Sequence, residues 1–321
     1  MRNGPWFIVE FNRYQYRLFS TPDAGHKGFP GYHFVVLLIG CFPASLFCLR
    51  AFFKLPRDTH RYQQDFIRWM KILFWVVLIL FSIVQSKIVH YSSMCYFPLT
   101  FLACLVIRRI LNGTISFPNV LKKSLITMGA LLAIVLIALP FIVSDTELML
   151  SYFKEPFARA ALEAEVKWSM RESVPGLFML GVVGVVAYLF WRKQNGWGIA
   201  ILFGGMAIWV NITFFFVVKK VELYSQNAAI EFFKQKVSEE CYILPLGYKT
   251  YGHLFYANKL PLESLQNDDP EWLLFEKVDR PTYFITKIHQ TEFLDQLDKV
   301  ERISAKNGFV MFRRKGVPSI E

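Results

Sequence analysis

Six apolar runs, at about 33–52, 69–86, 91–107, 121–143, 174–191 and 195–218, constrain this chain of 321 residues more than any other feature. Each is near the roughly 20 residues that a helix needs to cross about 30 Å of hydrocarbon. Backbone groups in hydrocarbon must satisfy one another, so runs of this length read as spanning helices. Prolines and glycines inside them, such as Pro43, Pro98, Pro140 and Gly205, are tolerated where neighbouring helices pack closely. At 54% hydrophobic and 19% charged, the chain is too apolar for a soluble domain and too charged for spans alone. The expected fold class is a polytopic α-helical membrane protein of about six spans with a C-terminal α/β domain outside the cytoplasm. The expected divisions are an outer loop with an amphipathic helix at 1–32, a transmembrane region at 33–218 and an α/β domain at 219–321.

The net charge of +11 invites a nucleic-acid reading, which the placement of the charges excludes. Arg50, Lys54, Arg57, Arg61, Arg68 and Lys71 cluster around one inter-helix loop, Arg108, Arg109, Lys122 and Lys123 flank another, and Arg192 with Lys193 fill a third. These are topology signals. By the positive-inside rule those loops are cytoplasmic. The Gln85–Pro98 turn, the 144–173 connector and both chain ends then lie outside, with Lys219 and Lys220 as a minority vote against.

At the N-terminus, Phe7, Phe11, Tyr14 and Leu18 recur at helical spacing, and the stretch lacks the pattern of a signal peptide. In the 144–173 connector, Phe157, Ala161, Ala164 and Trp168 predict a helix lying on the outer surface. After Val221 the composition becomes that of a small polar domain. Helices are expected over Val221–Glu239 and Thr291–Ala305, and strands over Tyr242–Leu246, Tyr283–Ile288 and Phe309–Arg313. No Gly-rich phosphate loop or nucleophile elbow occurs there, and His253 and His289 read as structural. Four of the five cysteines lie in apolar runs and Cys241 in the polar part, so neither a disulfide framework nor metal-ligand spacing follows.

The turn QSKIVHYSSMCYFP joins two short apolar runs, where a bland connector would suffice. It holds Lys87, His90 and Tyr91 with three serine hydroxyls, Ser86, Ser92 and Ser93. Ionisable groups at membrane depth usually face a cavity or a ligand. Lysine, tyrosine and serine form a donor set suited to phosphate oxygens. The competing reading is interfacial anchoring, with Lys87 snorkelling to headgroups and Tyr91 in an aromatic belt.

Three stretches carry a resemblance to a known family. Arg17-Leu18-Phe19, Gly25-His26, Pro30, Tyr32 and Leu37–Pro43 resemble an outer loop and an LLLGFFPW-like helix. Ser86-Lys87-Ile88-Val89-His90-Tyr91 resembles an SKLPHY turn, with Pro98 and Ala103 in the helix after it, and the polar C-terminal part resembles a periplasmic α/β domain. The chain resembles the C-terminal half of bacterial polyprenyl-phosphate-sugar glycosyltransferases, of the lipid A aminoarabinose transferase and protein O-mannosyltransferase type. The resemblance implies a multi-pass protein of the bacterial inner membrane, its C-terminal domain in the periplasm. Such an enzyme moves a sugar from an undecaprenyl-phosphate carrier to a lipid or other envelope acceptor, with inversion at the anomeric carbon. It places Lys87, Tyr91 and Arg17 at the donor phosphate, with His90, Ser86 and His26 as accessory candidates.

Relatives often carry Glu and His just before that arginine, and the full-length family admits a divalent metal. Here Arg13 and Tyr14 stand nearby, and no metal ligand or other cofactor is assigned. The family's catalytic carboxylate belongs to a first outer loop with no counterpart in this chain; Glu10 and Asp23 are the nearest acids and match no motif. A separate N-terminal half, supplying that carboxylate and further spans, is therefore an expected partner, and it would account for a Met1 that starts outside. The competing class is a non-catalytic membrane scaffold or lipid-binding subunit with an outer interaction domain. A six-span transporter is a third reading, without the internal repeats that would favour it.

Overall fold

The computed structural model describes residues 5–21, 28–56, 60–259 and 269–316. It divides into two units, residues 1–133 with 178–208 and residues 134–177 with 209–321. In chain order the first helices are α1 (Trp6–Ser20), α2 (Tyr32–Gly40), α3 (Ala44–Ala51), α4 (Arg61–Ile83), α5 (Tyr96–Leu111) and α6 (Asn119–Ser144). They are followed by α7 (Thr146–Tyr152), α8 (Pro156–Leu162), α9 (Val174–Trp191), α10 (Asn195–Thr213), α11 (Lys219–Ser225) and α12 (Asn227–Gln235). Among the described residues, five helical stretches are long and apolar enough to cross a membrane: Arg61–Ile83, Val89–Leu111, Asn119–Ser144, Met170–Trp191 and Asn195–Ser225.

The first apolar run is not the single spanning helix expected over 33–52. It is α2 and α3, bent by 118° between Gly40 and Ala44. Pro43 has no N–H to continue a helix, and Ser45 Oγ donates to the carbonyl of Leu38 (2.7 Å), satisfying a group that α2 leaves open. Phe34 at the start of α2 and Phe52 at the end of α3 both pack on Trp75 of α4 (6.1 and 5.3 Å between rings), and the segment after Phe52 carries the chain on. Helices α4 and α5 run antiparallel, with Cys95 Sγ against the Phe74 carbonyl (3.6 Å) and Phe66 against Phe101 (4.9 Å between rings). The chain enters beside Phe81, where the His33 ring lies 6.3 Å away, and leaves at Pro56, whose carbonyl accepts from Arg109 (3.0 Å).

That second end gathers the basic loops. Phe117 meets Phe190 (5.1 Å), Lys122 lies over both rings, and Leu111 approaches Gly196. Lys54, Arg109, Lys122 and Arg192 therefore sit at or next to one end of the first unit, opposite Lys87. Helix α4 also begins at Arg61 rather than Trp69, so Asp65 and Arg68 fall on its first turns.

In the second unit, α10 runs through a π-helical turn, Phe214–Val218, into α11. The single helix expected over Val221–Glu239 is instead α11 and α12, separated at Gln226. The sheet has the order β1-β2-β4-β3, from β1 (Tyr242–Pro245), β2 (Thr282–Lys287), β3 (Val300–Lys306) and β4 (Phe309–Arg314). Strands β1 and β2 are parallel, and the other pairings antiparallel. Both faces are covered. Phe232 and Phe233 of α12 pack with Ile243, Ile285 and Met311, while Leu273, Leu274 and Leu294 pack with Leu244, Phe284 and Phe312 on the other side.

Two expectations are corrected here. The helix expected over Thr291–Ala305 is only Glu292–Asp295, and its remainder is mostly β3. The connector helix is shorter than its spacing suggested, ending at Leu162; Ala164 and Trp168 lie outside it. Its Phe157 packs on Phe309 of the sheet (5.1 Å) instead of facing lipid, and Trp168 Nε1 donates to the Tyr224 hydroxyl (2.9 Å).

Candidate functional site

The Ser86–Tyr91 turn closes the end of α4. The last carbonyls of a helix have no partner within it, and a lysine just beyond them offers donors and a favourable charge. Lys87 Nζ donates to the carbonyls of Val84 (2.6 Å), Ser82 (2.6 Å) and Phe81 (3.2 Å), which uses all three ammonium protons. Its stem is covered by Gly28, where an added Cβ would come within 2.8 Å of Lys87 Cγ. The residue is 6% exposed, and loss of solvent pulls its pKa below the usual lysine value. Lys87 thus serves as a C-terminal cap of α4 in this structure.

Ser86 ties the turn to the end of α1. Its Oγ donates to Thr21 O (2.9 Å), its N–H to Leu18 O (3.4 Å), and the Gln85 N–H to Phe19 O (3.1 Å). Arg17, on the last turn of α1, is exposed and lies over the Tyr14 ring (5.3 Å). Tyr91 is half-buried with its ring 5.4 Å from that of Phe81, and the exposed His90 meets it edge-on at 5.2 Å. The structure therefore brings Ser86, Lys87, His90 and Tyr91 together with the α1 terminus that carries Arg17. His26 and Asp23 lie outside the described residues.

One residue escaped the sequence reading. His33 is fully buried against Tyr32 (5.2 Å) and Phe81 (6.3 Å), and neither ring nitrogen has a hydrogen-bond partner among the described residues. Its only sequence signal is a lone imidazole at the head of an apolar run.

The positions near which the resemblance implies metal ligands do not fit a cation. Arg13 donates to Glu10 (2.5 Å), Tyr14 lies beneath Arg17, and among the described residues no three His, Cys, Asp or Glu side chains converge. The buried acid Glu172 in the second unit is also committed. It caps the turn before α9 through the Ser169 N–H (2.7 Å) and Oγ (2.8 Å), and Lys220 Nζ lies 3.3 Å away.

These features define a multi-pass helical membrane protein with a C-terminal mixed sheet of four strands. The fold resembles that of ArnT from Cupriavidus metallidurans bound to undecaprenyl phosphate, at a TM-score of 0.57 and 14% identity, over 96% of this chain and 58% of that one. The apo state of ArnT matches with a TM-score of 0.57 and 13% identity, over 96% of this chain and 57% of that one. The chain therefore spans less than two thirds of ArnT, and the likeness is one of fold. By sequence it matches no protein-family model and no curated protein.

Proposed function

We propose that the chain is part of a membrane glycosyltransferase that moves a sugar from an undecaprenyl-phosphate carrier to a lipid or other envelope acceptor, with inversion. The observation that carries this reading is the ArnT-like fold over 96% of the chain, combined with the Ser86–Tyr91 turn at the end where α1 docks. In this reading Lys87, Tyr91 and Arg17 hold the carrier phosphate, with His90, Ser86 and His26 accessory. The protein sits in a bacterial inner membrane with the basic loops in the cytoplasm and the sheet domain in the periplasm. Such a transfer also needs a carboxylate that activates the acceptor hydroxyl.

For Lys87 to meet a phosphate it must exchange one or more helix carbonyls for phosphate oxygens. That geometry also supports a second reading, a non-catalytic membrane scaffold in which Lys87 is solely a helix cap. Polyprenyl-phosphate binding to the purified chain separates the two. Hydrogen bonds to charged groups contribute about 1.5–3 kcal/mol, so Tyr91→Phe and Lys87→Gln should each weaken binding roughly ten- to a hundredfold. Unchanged affinity in both variants would leave the scaffold.

A further inference from the structure

The end of the first unit remote from Lys87 carries a second feature that the transfer reading does not use. A cavity of about 630 Å³ opens between α3 with its following turn and the start of α6. Leu46, Leu49, Phe53, Val120 and Leu121 form its apolar walls, and Arg50 and Lys54 stand in it. A second hollow of about 430 Å³ shares Leu46, Val120 and Ser124 with the first and continues along α6 past Lys123 to Leu131. The two make one groove with two lobes, in the size range of small-ligand sites.

Its charge is one-sided. Among the described residues three cations line it and no carboxylate does. Arg50 donates to the carbonyl of Lys54 (3.4 Å), which holds its guanidinium against the loop, and Lys54 and Lys123 pair with no acceptor among the described residues. The groove also starts at the first turn of α6, a helix of 26 residues whose N-terminal dipole adds to the positive field. We infer that this groove binds an anionic two-chain phospholipid of the bilayer, with its phosphate at the Arg50 and Lys54 end, Lys123 of the adjoining hollow adding to the positive field, and its acyl chains along the two hollows.

The charge pattern selects the headgroup. A zwitterionic lipid brings a quaternary ammonium or amine that finds no acid here, while a net anionic one leaves nothing unpaired. The branching selects the tail. Two adjoining hollows that share the wall of Leu46, Val120 and Ser124 offer room for two chains, where a single polyprenyl chain would fill one. Basic pockets between spanning helices are the recurring form of anionic-lipid sites.

The test uses the purified full chain in detergent, with phosphatidylglycerol, phosphatidylcholine or a polyprenyl monophosphate added, read by native mass spectrometry and by the shift in melting temperature. Phosphatidylglycerol should bind roughly thirtyfold more tightly than phosphatidylcholine, as expected of two cations beside one phosphate. The combined Arg50→Gln, Lys54→Gln, Lys123→Gln variant should lose that preference. Arg192→Gln with Lys193→Gln, which removes equal-sign charge from another loop, should keep it. Ser124→Trp should block binding with every cation in place, and it decides the matter if the triple variant does not fold. Undiminished preference in the triple variant, equal loss in the Arg192 and Lys193 control, or tighter binding of polyprenyl monophosphate to this groove would each overturn the inference. None of these outcomes bears on the carrier site at the opposite end.

Discussion

At the residue scale, Lys87 is the side chain whose two duties are separable. As a cap it holds three carbonyls at the end of α4, away from solvent. Lys87→Gln leaves most of those acceptors without a partner, so stability should fall by about 2–3 kcal/mol. Tyr91→Phe keeps the ring against Phe81 and removes only the hydroxyl, so its melting temperature reports what that hydroxyl contributes to the fold. Thermal melts of both variants beside the carrier-binding titration divide capping from phosphate contact. A fall in stability for Tyr91→Phe would mean that its hydroxyl is structural.

A cluster in the sheet domain gives a pH dependence with a definite sign. Glu239 accepts from Tyr283 (2.6 Å) and from Lys236 (2.7 Å), and the Lys236 ammonium lies 4.0 Å from the centre of the Tyr283 ring. Burial alone would raise the Glu239 carboxyl, but these hydrogen bonds outweigh it and hold its pKa below the usual value of 4.5. The unfolded chain therefore binds a proton first as pH falls. This pair's contribution is complete well above pH 4.5 and is lost as pH drops from there through the lower folded value. Burial would lower the Lys236 pKa, but the bonds to Glu239 and Tyr283 raise it above 10.5, so its share persists to alkaline pH and disappears above that value. Near-UV circular dichroism melts from pH 3 to 7 should show this acid limb, and Glu239→Gln should flatten it. An unchanged limb would assign the acid sensitivity elsewhere.

At the element scale, the β3–β4 hairpin shows why periodicity failed locally. Residues 291–305 mix apolar and charged side chains at spacings compatible with a helix, yet Val300–Lys306 is an edge strand, exposed along nearly its whole length. A register shift between Arg302 and Ser304 breaks the alternation that would have marked it. Exposed charge on an edge also guards against pairing with another chain. The signal that identifies the hairpin is Asn307-Gly308, with φ of 48° and 83°, a pair suited to a tight two-residue turn. An added Cβ at Gly308 would lie 2.8 Å from the Phe157 ring and 3.0 Å from its carbonyl. Gly308→Ala should therefore destabilise the sheet domain by about 1–3 kcal/mol. Asn307→Gly, which keeps the turn geometry, should change stability by less than about 1 kcal/mol. Melts followed through Trp272, which packs on the sheet, compare the two.

At the scale of the whole molecule, topology is the prediction with the widest consequence. The structure places the Lys54 loop and Arg109 at one end of α4 and α5 and Lys87 at the other. The positive-inside rule then orients the bundle. Reporter fusions at Lys54 and Asn195 should read as cytoplasmic, and fusions after Tyr91 and at Glu321 as external. An external reading at Lys54 would invert the bundle and move the Ser86–Tyr91 turn away from the proposed side.

The sequence by itself determined the membrane class, five of the spans, the clustering of basic loops and three of the four strands. All of these rest on composition and spacing within a window of about 20 residues, where burial imposes its pattern directly. What the turn does with its donors was not legible, because Lys87 meets carbonyls folded back from its own helix and Ser86 meets Thr21, 65 residues earlier. The same holds for His33, whose burial depends on Phe81 across the bundle, and for the groove between α3 and α6, whose cations come from α3, the turn after it and α6. Whether a lysine anchors, caps or binds is set by which acceptors the fold brings within about 3 Å. That distance exists only once distant segments have packed, so the chemistry of the turn was in the sequence and its use was decided by the tertiary structure.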